Sequence, residues 1–251
     1  MLRIAIQAKG RLNEESIGLL AEAGVSIEDS KRKLLARSNG FPLEVLYLRD
    51  DDIPQAVSMG VADLGVVGLN EVEEKGFDVE IVHRLGFGKC RLSLAVPKTE
   101  PYDGLSYFEG KRVATSYPVI LSRFFREKGI AAEIHEIAGS VEIAPSVGMA
   151  DAIFDIVSSG GTLVTNGLKE VEQVLFSEAV LIGGRALSDD KRQILSQLLF
   201  RIEAVERSRG LKYVLMNLPH AKIPEAVRIL PGMKSPTILP LAQEGWSSMH
   251  V

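Results

Sequence analysis

Apolar residues over the first 210 positions fall into short continuous runs, and these alternate with longer segments in which apolar residues recur every three or four positions. Short runs are typical of buried strands, and the longer period is typical of amphipathic helices. The alternation predicts an α/β fold with a largely parallel sheet. We predict strands at 2–6, 43–48, 64–67, 92–96, 112–115 and within 150–157, and helices at 14–23, 53–59, 120–128, 163–174 and 188–209.

A short internal repeat accompanies this alternation. Gly60-Val61-Ala62-Asp63 and Gly148-Met149-Ala150-Asp151 each follow a predicted short helix and lead into a predicted strand. Two lobes built on the same plan would explain the repeat, and they would leave a cleft between them.

The pattern changes after Gly210. A strand at 211–217, a helix at 223–230 and strands at 237–239 and 246–251 give a β-α-β-β order. This order predicts a small α+β domain that begins near Gly210.

Composition and charge exclude several classes of protein. The chain has 251 residues, 46% of them hydrophobic, and a net charge of −4, which argues against disorder and against binding to nucleic acid or a membrane surface. Cys90 is the single cysteine, so we expect no intrachain disulfide. The first residues lack the pattern of a signal peptide and no segment is long and apolar enough to span a membrane, so we expect a cytoplasmic protein.

The strongest chemical signal is an apolar strand that carries Asp151 and Asp155 and runs into the turn 158–162, which is Ser-Ser-Gly-Gly-Thr. Glycines let successive backbone N–H groups face one anion, hydroxyls add donors, and a helix start would contribute its positive end. Asp155 is placed to accept hydrogen bonds from a ribose diol. Asp151 lies about 13 Å earlier along the strand, so it cannot bind the same diol. A connecting turn is the alternative, but an acid within a buried strand favours a function.

Basic residues beside glycines predict a second anion site. Lys9 and Arg11 flank Gly10 just after the first strand, and ligands of open α/β folds bind at the carboxyl ends of strands. These two cations and Arg49 could hold a pyrophosphate or a triphosphate, although a solvated basic turn is the alternative. The next residue after Arg49 begins an acidic run.

Asp50 and Asp51 could face a hydrated Mg2+ ion, which typically takes one or two carboxylates together with substrate phosphates. Asp52 is expected to cap a helix. Gly68 ends a predicted strand and permits close approach of a backbone. The four histidines lack the spacing of metal ligands, and Cys90 is interpreted as structural.

These segments, in their order along the chain, resemble the ATP phosphoribosyltransferase family of histidine biosynthesis. The segments that carry the resemblance are KGRL (9–12), RDDDIP (49–54), DLGVVG (63–68), CRLSLA (90–95), GKRVATSYP (110–118) and GSVEIAP (139–145), continuing to Thr162.

The resemblance implies a two-lobed catalytic core like that of type II periplasmic binding proteins, with the active site in the cleft, and a small ferredoxin-like α+β regulatory domain. Lobe I would comprise 1–93, completed by about 180–210, and lobe II would comprise 94–179. The segment 211–251 resembles the regulatory domain of the long, hexameric form, which is inhibited by histidine. The short form lacks this domain and needs a separate partner. The family plan is β-α-β-β-α-β, so we expect this domain to lack its last helix and strand.

The reaction that the resemblance implies joins ATP to 5-phosphoribosyl 1-pyrophosphate, giving N1-(5-phosphoribosyl)-ATP and pyrophosphate with Mg2+ as cofactor. We expect a homo-oligomer, dimer or hexamer, that binds neither nucleic acid nor membranes. The alternatives are a cytoplasmic two-lobed anion- or solute-binding protein and a salvage phosphoribosyltransferase. The site residues are expected to be Lys9, Arg11, Arg49 and Asp155 as catalytic residues, Gly10, Gly68, Asn70, Glu142, Asp151, Ser158, Ser159, Gly160, Gly161 and Thr162 as substrate-binding residues, and Asp50 and Asp51 as metal-binding residues.

Overall fold

The computed structural model describes residues 1–28 and 34–251. The chain divides into two compact units, residues 1–202 and residues 203–251. The α-helices are α1 (Arg11–Glu22), α2 (Ile53–Ser58), α3 (Leu69–Lys75), α4 (Pro118–Lys128), α5 (Gly161–Thr165), α6 (Asp189–Ser208) and α7 (Ile223–Ile229). The strands are β1 (Leu2–Gln7), β2 (Ser26–Ile27), β3 (Leu35–Asn39), β4 (Leu43–Leu48), β5 (Leu64–Gly68), β6 (Glu80–Arg84), β7 (Cys90–Pro97), β8 (Arg112–Thr115), β9 (Glu133–Glu136), β10 (Ala152–Val157), β11 (Leu168–Ser177), β12 (Ala179–Gly183), β13 (Leu215–Pro219), β14 (Thr237–Pro240) and β15 (Trp246–His250).

The first unit contains two sheets, and each forms one lobe together with its helices. The sheet of lobe I has the order β2-β3-β4-β1-β5-β12-β6, and that of lobe II has the order β11-β7-β10-β8-β9. Strand β1 is parallel to β4 and β5, and β10 is parallel to β8. These central strands are buried on both faces, which explains their continuous apolar runs.

Both sheets are mixed, so the prediction of a largely parallel sheet is correct only for the pairs of β1 with β4 and β5 and of β8 with β9 and β10. Strand β12 is antiparallel to β5 and β6, and β7 is antiparallel to β10 and β11. The reason is the path of the chain: it enters lobe II through β7 and returns to lobe I through β12.

The two crossings between the lobes lie side by side. The N–H of Leu85 donates to the carbonyl of Ala179 at 3.0 Å, and the N–H of Ala179 donates to the carbonyl of Phe87 at 2.9 Å. The lobes are therefore connected at one edge by a pair of hydrogen-bonded segments.

The internal repeat has a structural basis. In lobe I, Asp63 Oδ2 accepts from the N–H of Arg3 at 2.8 Å, and in lobe II, Asp151 Oδ2 accepts from the N–H of Arg112 at 3.0 Å. Each aspartate also donates its own N–H to the carbonyl of the same arginine. Both connect the first strand of a parallel pair to the turn before the second, and this shared contact accounts for the repeat in the sequence.

The helix predicted at 163–174 is wrong. Helix α5 ends at Thr165, Gly167 follows with a φ of 72°, and β11 begins at Leu168. The reason is the period of the sequence. Glu170 and Glu172 alternate with apolar neighbours, and this edge strand pairs along its length with β7.

The second unit contains a three-stranded antiparallel sheet with the order β13-β15-β14, and α7 lies between β13 and β14 in sequence. The predicted β-α-β-β order is confirmed, although β13 begins at Leu215 rather than at position 211. Within the two described stretches of the chain, no helix combines the length and the apolarity needed to cross a membrane.

Candidate active site

A cavity of about 350 Å³ lies between the two lobes. It is lined by Gln7, Gly10, Arg11, Leu12, Glu15, Asp50, Gly68, Asn70, Glu71, Gly88, Lys89, Cys90, Ile156, Ser158 and Ala179. Six of the predicted site residues are among them: Gly10, Arg11, Asp50, Gly68, Asn70 and Ser158. The other predicted residues do not line this cavity: Lys9, Arg49, Asp51, Glu142, Asp151, Asp155, Ser159, Gly160, Gly161 and Thr162.

The basic turn after β1 forms one wall of the cavity. Gly10 precedes α1 with a φ of 93°, a conformation that favours glycine. The side chain of Arg11 is 76% exposed and its Nε lies 3.2 Å from Glu15 Oε1, so most of the guanidinium is open to an anion. Lys9 is also exposed. The structure thus places two cations at the carboxyl end of a central strand, where ligands of α/β folds bind.

The acidic run after β4 is divided between the cavity and a neighbouring ion pair. Asp50 lines the cavity, whereas Asp51 lies beside Arg49, with Oδ1 3.3 Å from Nε. This Oδ1 atom is buried and makes no hydrogen bond. No group of three or more His, Cys, Asp and Glu side chains is arranged to hold a metal in the part of the chain that the structure describes. A metal ion here would need oxygen atoms from a substrate.

Asp155 lies on β10, and the last strand residues lead directly into the glycine-rich turn. Its Oδ1 accepts from the N–H of Ile156 at 2.8 Å. Burial raises the pKa of the Asp155 carboxyl, the N–H of Ile156 opposes this, and the negative charge of Glu142 raises the pKa further. The structure therefore brings Glu142 and Asp155 close enough to interact, and it leaves the carboxylate of Asp155 short of hydrogen-bond donors that a sugar could supply.

The turn 158–162 is exposed, and its first residue is held in place by a hydrogen bond from Arg91. Gly160 has a φ of 81° and precedes the short helix α5. The carbonyl of Ser158 accepts from Arg91 Nη1 at 3.1 Å, and the same guanidinium pairs with Glu170, with 2.5 Å between Nε and Oε1. Because α5 is only five residues long, anion binding at this turn depends on backbone N–H groups and hydroxyls more than on a helix dipole.

A side chain at position 68 would collide with the side chain of Asn70. A Cβ atom at this position would lie 2.4 Å from Asn70 Oδ1, which is far inside contact distance. Asn70 is 4% exposed, and its Oδ1 accepts from Ser177 Oγ at 2.8 Å. The close approach expected at Gly68 is thus made by the Asn70 side chain, at the edge of the cavity.

Asp151 is placed away from the cavity between the lobes. Its Oδ1 accepts from Arg112 Nη2 at 2.9 Å and its Oδ2 from Arg112 Nε at 3.2 Å. It lines a separate cavity of about 230 Å³ with Tyr107 and Lys111. This placement favours a structural role, and substrate binding by Asp151 remains a prediction.

Glu71 and Lys89 are charged lining residues that sequence reasoning missed. Glu71 is buried, and burial followed by the charge of Asp50 raises the pKa of its carboxyl. Its surroundings in sequence, Asn-Glu-Val-Glu-Glu, are typical of a solvated helix face, so no signal pointed to burial. Lys89 lines the cavity on the crossing into lobe II. Lys89 follows Gly88, and a basic residue next to a glycine is the signal that identified Lys9 and Arg11.

The comparisons with known proteins agree with this geometry. Residues 49–204 match the family model described as ATP phosphoribosyltransferase (HisG), and residues 208–251 match the HisG C-terminal domain. Proteins named ATP phosphoribosyltransferase from Bacteroides thetaiotaomicron and Cytophaga hutchinsonii are 62% and 52% identical over 250 residues. The alignments cover 100% of this chain and 88% and 87% of those relatives.

Solved structures show the same architecture. The ATP phosphoribosyl transferase (HisG:HisZ) complex from Thermotoga maritima contains a chain that matches with a TM-score of 0.71 and 29% identity, covering 82% of this chain and 99% of that one. The substrate-binding protein of an amino acid ABC transporter matches with a TM-score of 0.55 and 12% identity, covering 82% of this chain and 93% of that one, which shows a shared fold. This chain belongs to the ATP phosphoribosyltransferase family, with a two-lobed core of the periplasmic-binding-protein type and the C-terminal domain of that family.

Proposed function

We propose that the cavity between the lobes is where this enzyme joins the phosphoribosyl group of phosphoribosyl pyrophosphate to N1 of ATP, the first step of histidine biosynthesis. The observation that carries the assignment is the lining of the cavity. It combines Arg11 and Asp50 from lobe I with Ser158, the first residue of the glycine-rich turn, from lobe II. Two anionic substrates can therefore meet there with one held on each side.

Lobe II is assigned to the phosphoribosyl group. The 5-phosphate binds the N–H groups and hydroxyls of residues 158–162, and Asp155 accepts hydrogen bonds from the ribose hydroxyls. The exposure of the turn and the nearness of Glu142 to Asp155 support this arrangement. Carboxylates are good acceptors for a diol, and charge-assisted hydrogen bonds are the stronger ones.

Lobe I is assigned to the triphosphate and to the departing pyrophosphate. Lys9, Arg11 and Arg49 are exposed at the carboxyl ends of β1 and β4. Lys89 adds a cation on the cavity wall itself.

The reaction is a displacement at C1 of the ribose, in which N1 of adenine forms the new bond and the bond to pyrophosphate breaks. Adenine N1 already carries a lone pair, so attack requires no general base. The protein then has to orient two substrates and offset the charge of the leaving group, which are the contributions of proximity and electrostatics.

Magnesium fits this site only together with substrate. Asp50, on the cavity wall, and Asp51, whose Oδ1 atom has no hydrogen bond, would hold a hydrated Mg2+ ion. Bound there, the ion would neutralise charge on the pyrophosphate oxygens.

The test is release of pyrophosphate by the purified protein with ATP, phosphoribosyl pyrophosphate and Mg2+. We expect release to require both substrates and to stop when EDTA removes the metal. Turnover with a free nucleobase in place of ATP would instead support the salvage reaction. Binding of either anion without any release would support a two-lobed binding protein, the alternative that shares this fold.

Regulation and assembly are proposed from the C-terminal unit. Residues 208–251 match the C-terminal domain of the family, and we assign to this unit inhibition by histidine and assembly into a dimer or hexamer. Native mass spectrometry with and without histidine tests both. The single cysteine, Cys90, suits a reducing compartment, and we place the enzyme in the cytoplasm.

A further inference from the structure

Helix α3 of lobe I directs most of its polar side chains at lobe II. Asn70 and Glu71 bond to the Tyr117 hydroxyl, Glu73 pairs with Arg123, and Glu74 binds the start of α4. Tyr117 and α4 follow β8 of the other sheet, so these contacts cross from one lobe to the other.

Glu74 makes a buried contact with the first turn of α4. Its Oε1 accepts from the N–H of Val119 and its Oε2 from the N–H of Ile120, both at 2.9 Å, and the residue is 7% exposed. Tyr117, the residue before α4, makes no capping bond with its own side chain. Free N–H groups in the first turn of a helix need an acceptor. Lobe I therefore supplies the cap of a helix in lobe II.

A second set of bonds lies nearer the cavity. Glu71 Oε1 accepts from the Tyr117 hydroxyl at 3.1 Å and from Asn70 Nδ2 at 3.1 Å. The N–H of Asn70 donates to Ser177 Oγ at 3.1 Å, on the last residue of β11 in lobe II. Asn70 and Glu71 line the cavity between the lobes. Helix α3 thus connects lobe I to lobe II and also forms part of the cavity wall.

We infer that Glu74, supported by Glu71 and its partner Tyr117, is a positioning residue that sets the angle between the lobes and with it the distance between the two bound substrates. The inference rests on the proposed function, in which the ribose phosphate is held by lobe II and the triphosphate of ATP by lobe I. A misplacement of about 1 Å between reacting groups can cost about a hundredfold in rate. Contacts that fix the two lobes relative to each other therefore act on turnover without touching either substrate.

The chain provides a matched control. Glu73 is adjacent to Glu74 and crosses the same boundary, but its pair with Arg123 is exposed, at 37% and 42%. Exposed ion pairs contribute little. Glu74→Gln keeps the size of the side chain but leaves one oxygen where two N–H groups need an acceptor. Glu73→Gln makes the same chemical change where it should have little effect.

The experiment measures three quantities in the full-length wild type, Glu74→Gln and Glu73→Gln. For Glu74→Gln we expect kcat to fall at least about tenfold. The dissociation constant for ATP alone should stay within about twofold, because ATP is assigned to lobe I alone. Hydrogen exchange at residues 119 and 120 should become faster. Glu73→Gln should match the wild type in kcat and in binding.

The inference is wrong if the amide hydrogens of residues 119 and 120 exchange faster in Glu74→Gln while its kcat equals that of Glu73→Gln. It is also wrong if the affinity for ATP, which is assigned to lobe I alone, falls in proportion to kcat, because that result indicates general loss of structure. A wild type that releases no pyrophosphate would instead reject the proposed function. If Glu74→Gln does not fold, Tyr117→Phe removes only the hydroxyl that bonds to Glu71, and the same fall in kcat at constant affinity for ATP is then required.

Discussion

At the scale of single residues, the carboxyl group of Asp155 is placed to serve substrate binding at a cost to the stability of the fold. Its Oδ1 accepts a hydrogen bond from the adjacent N–H of Ile156, and burial raises its pKa. A half-buried carboxylate with few donors weakens the fold at neutral pH unless a ligand completes its hydrogen bonds. This is the arrangement expected of a residue retained for its substrate.

Replacement of Asp155 by asparagine should lower kcat/KM by about a hundredfold or more, since each charge-assisted hydrogen bond to the ribose contributes about 1.5–3 kcal/mol. The measurement is steady-state pyrophosphate release by Asp155→Asn with phosphoribosyl pyrophosphate varied. Circular dichroism should show an intact fold. Activity close to that of the wild type would remove the central assignment in lobe II.

The same variant should differ from the wild type in its response to pH. The pKa of Asp155 is raised in the folded state. Its contribution to stability is therefore complete at pH values below the ordinary pKa of an aspartate, and it is lost as the pH rises through the raised pKa of the folded protein. Without substrates, Asp155→Asn should therefore melt above the wild type at about pH 7.5, and the difference should shrink towards about pH 4. An equal difference at both pH values would contradict the raised pKa.

At the scale of helices and strands, Asp63 and Asp151 perform the same task in the two lobes. Each accepts the N–H of an arginine in the first strand of a parallel pair. The partners differ in their side chains: Arg112 binds Asp151, whereas Arg3 binds Glu44 and Asp63 binds Lys191. The repeated backbone contact indicates a requirement of the fold that each lobe meets independently.

Asp151→Asn should lower the free energy of unfolding by about 1–2 kcal/mol, because charge-assisted hydrogen bonds to Arg112 are lost at a partly exposed site. The kcat of the folded enzyme should stay within about twofold of the wild type. Chemical denaturation and steady-state assays measure the two effects. A fall in kcat without loss of stability would restore Asp151 to the substrate-binding set.

The success of sequence-based prediction differed between elements for physical reasons. Strands such as β4 and β8 were predicted with their observed ends because they are buried on both sides and read as continuous apolar runs. Strand β11 was mistaken for a helix because it lies at an edge, where polar residues alternate. Helix α3 was missed because its acids are buried by contacts with residues near Tyr117, some 45 positions away, which no local pattern reveals.

At the scale of the whole molecule, the cavity is built from segments far apart in sequence. The turns near Gly10, Asp50 and Ser158 were each predicted as candidate binding segments, and the structure brings all three to one cavity. Gly10 and Asp50 meet because the parallel strands β1 and β4 end at the same edge of one sheet, whereas Ser158 follows β10 in the other sheet and reaches the cavity because the two lobes face each other. Sequence reasoning could not place Arg49 or Asp51 outside the cavity lining, because side-chain direction depends on the ion pair between them.

Binding of substrate should stabilise the two-lobed unit. Phosphoribosyl pyrophosphate with Mg2+ at about 100 times its dissociation constant should add about 2.7 kcal/mol, which raises the melting temperature by about 5–10 °C for a protein of this size. Differential scanning fluorimetry with inorganic pyrophosphate as the control measures this shift. An equal shift with pyrophosphate alone would show that the ribose and its phosphate add nothing.

The paired crossings through Leu85, Phe87 and Ala179 also limit how the enzyme can open. Because these segments are hydrogen-bonded to each other, a twist of one lobe against the other would break their bonds, whereas rotation about the line on which they lie would keep them. We therefore expect opening to be a rotation of one lobe about the axis that runs along the two crossings. For the same reason we expect a bulky product to leave through the side opposite the crossings, where a bound inhibitor would keep the lobes apart without competing for the turn 158–162.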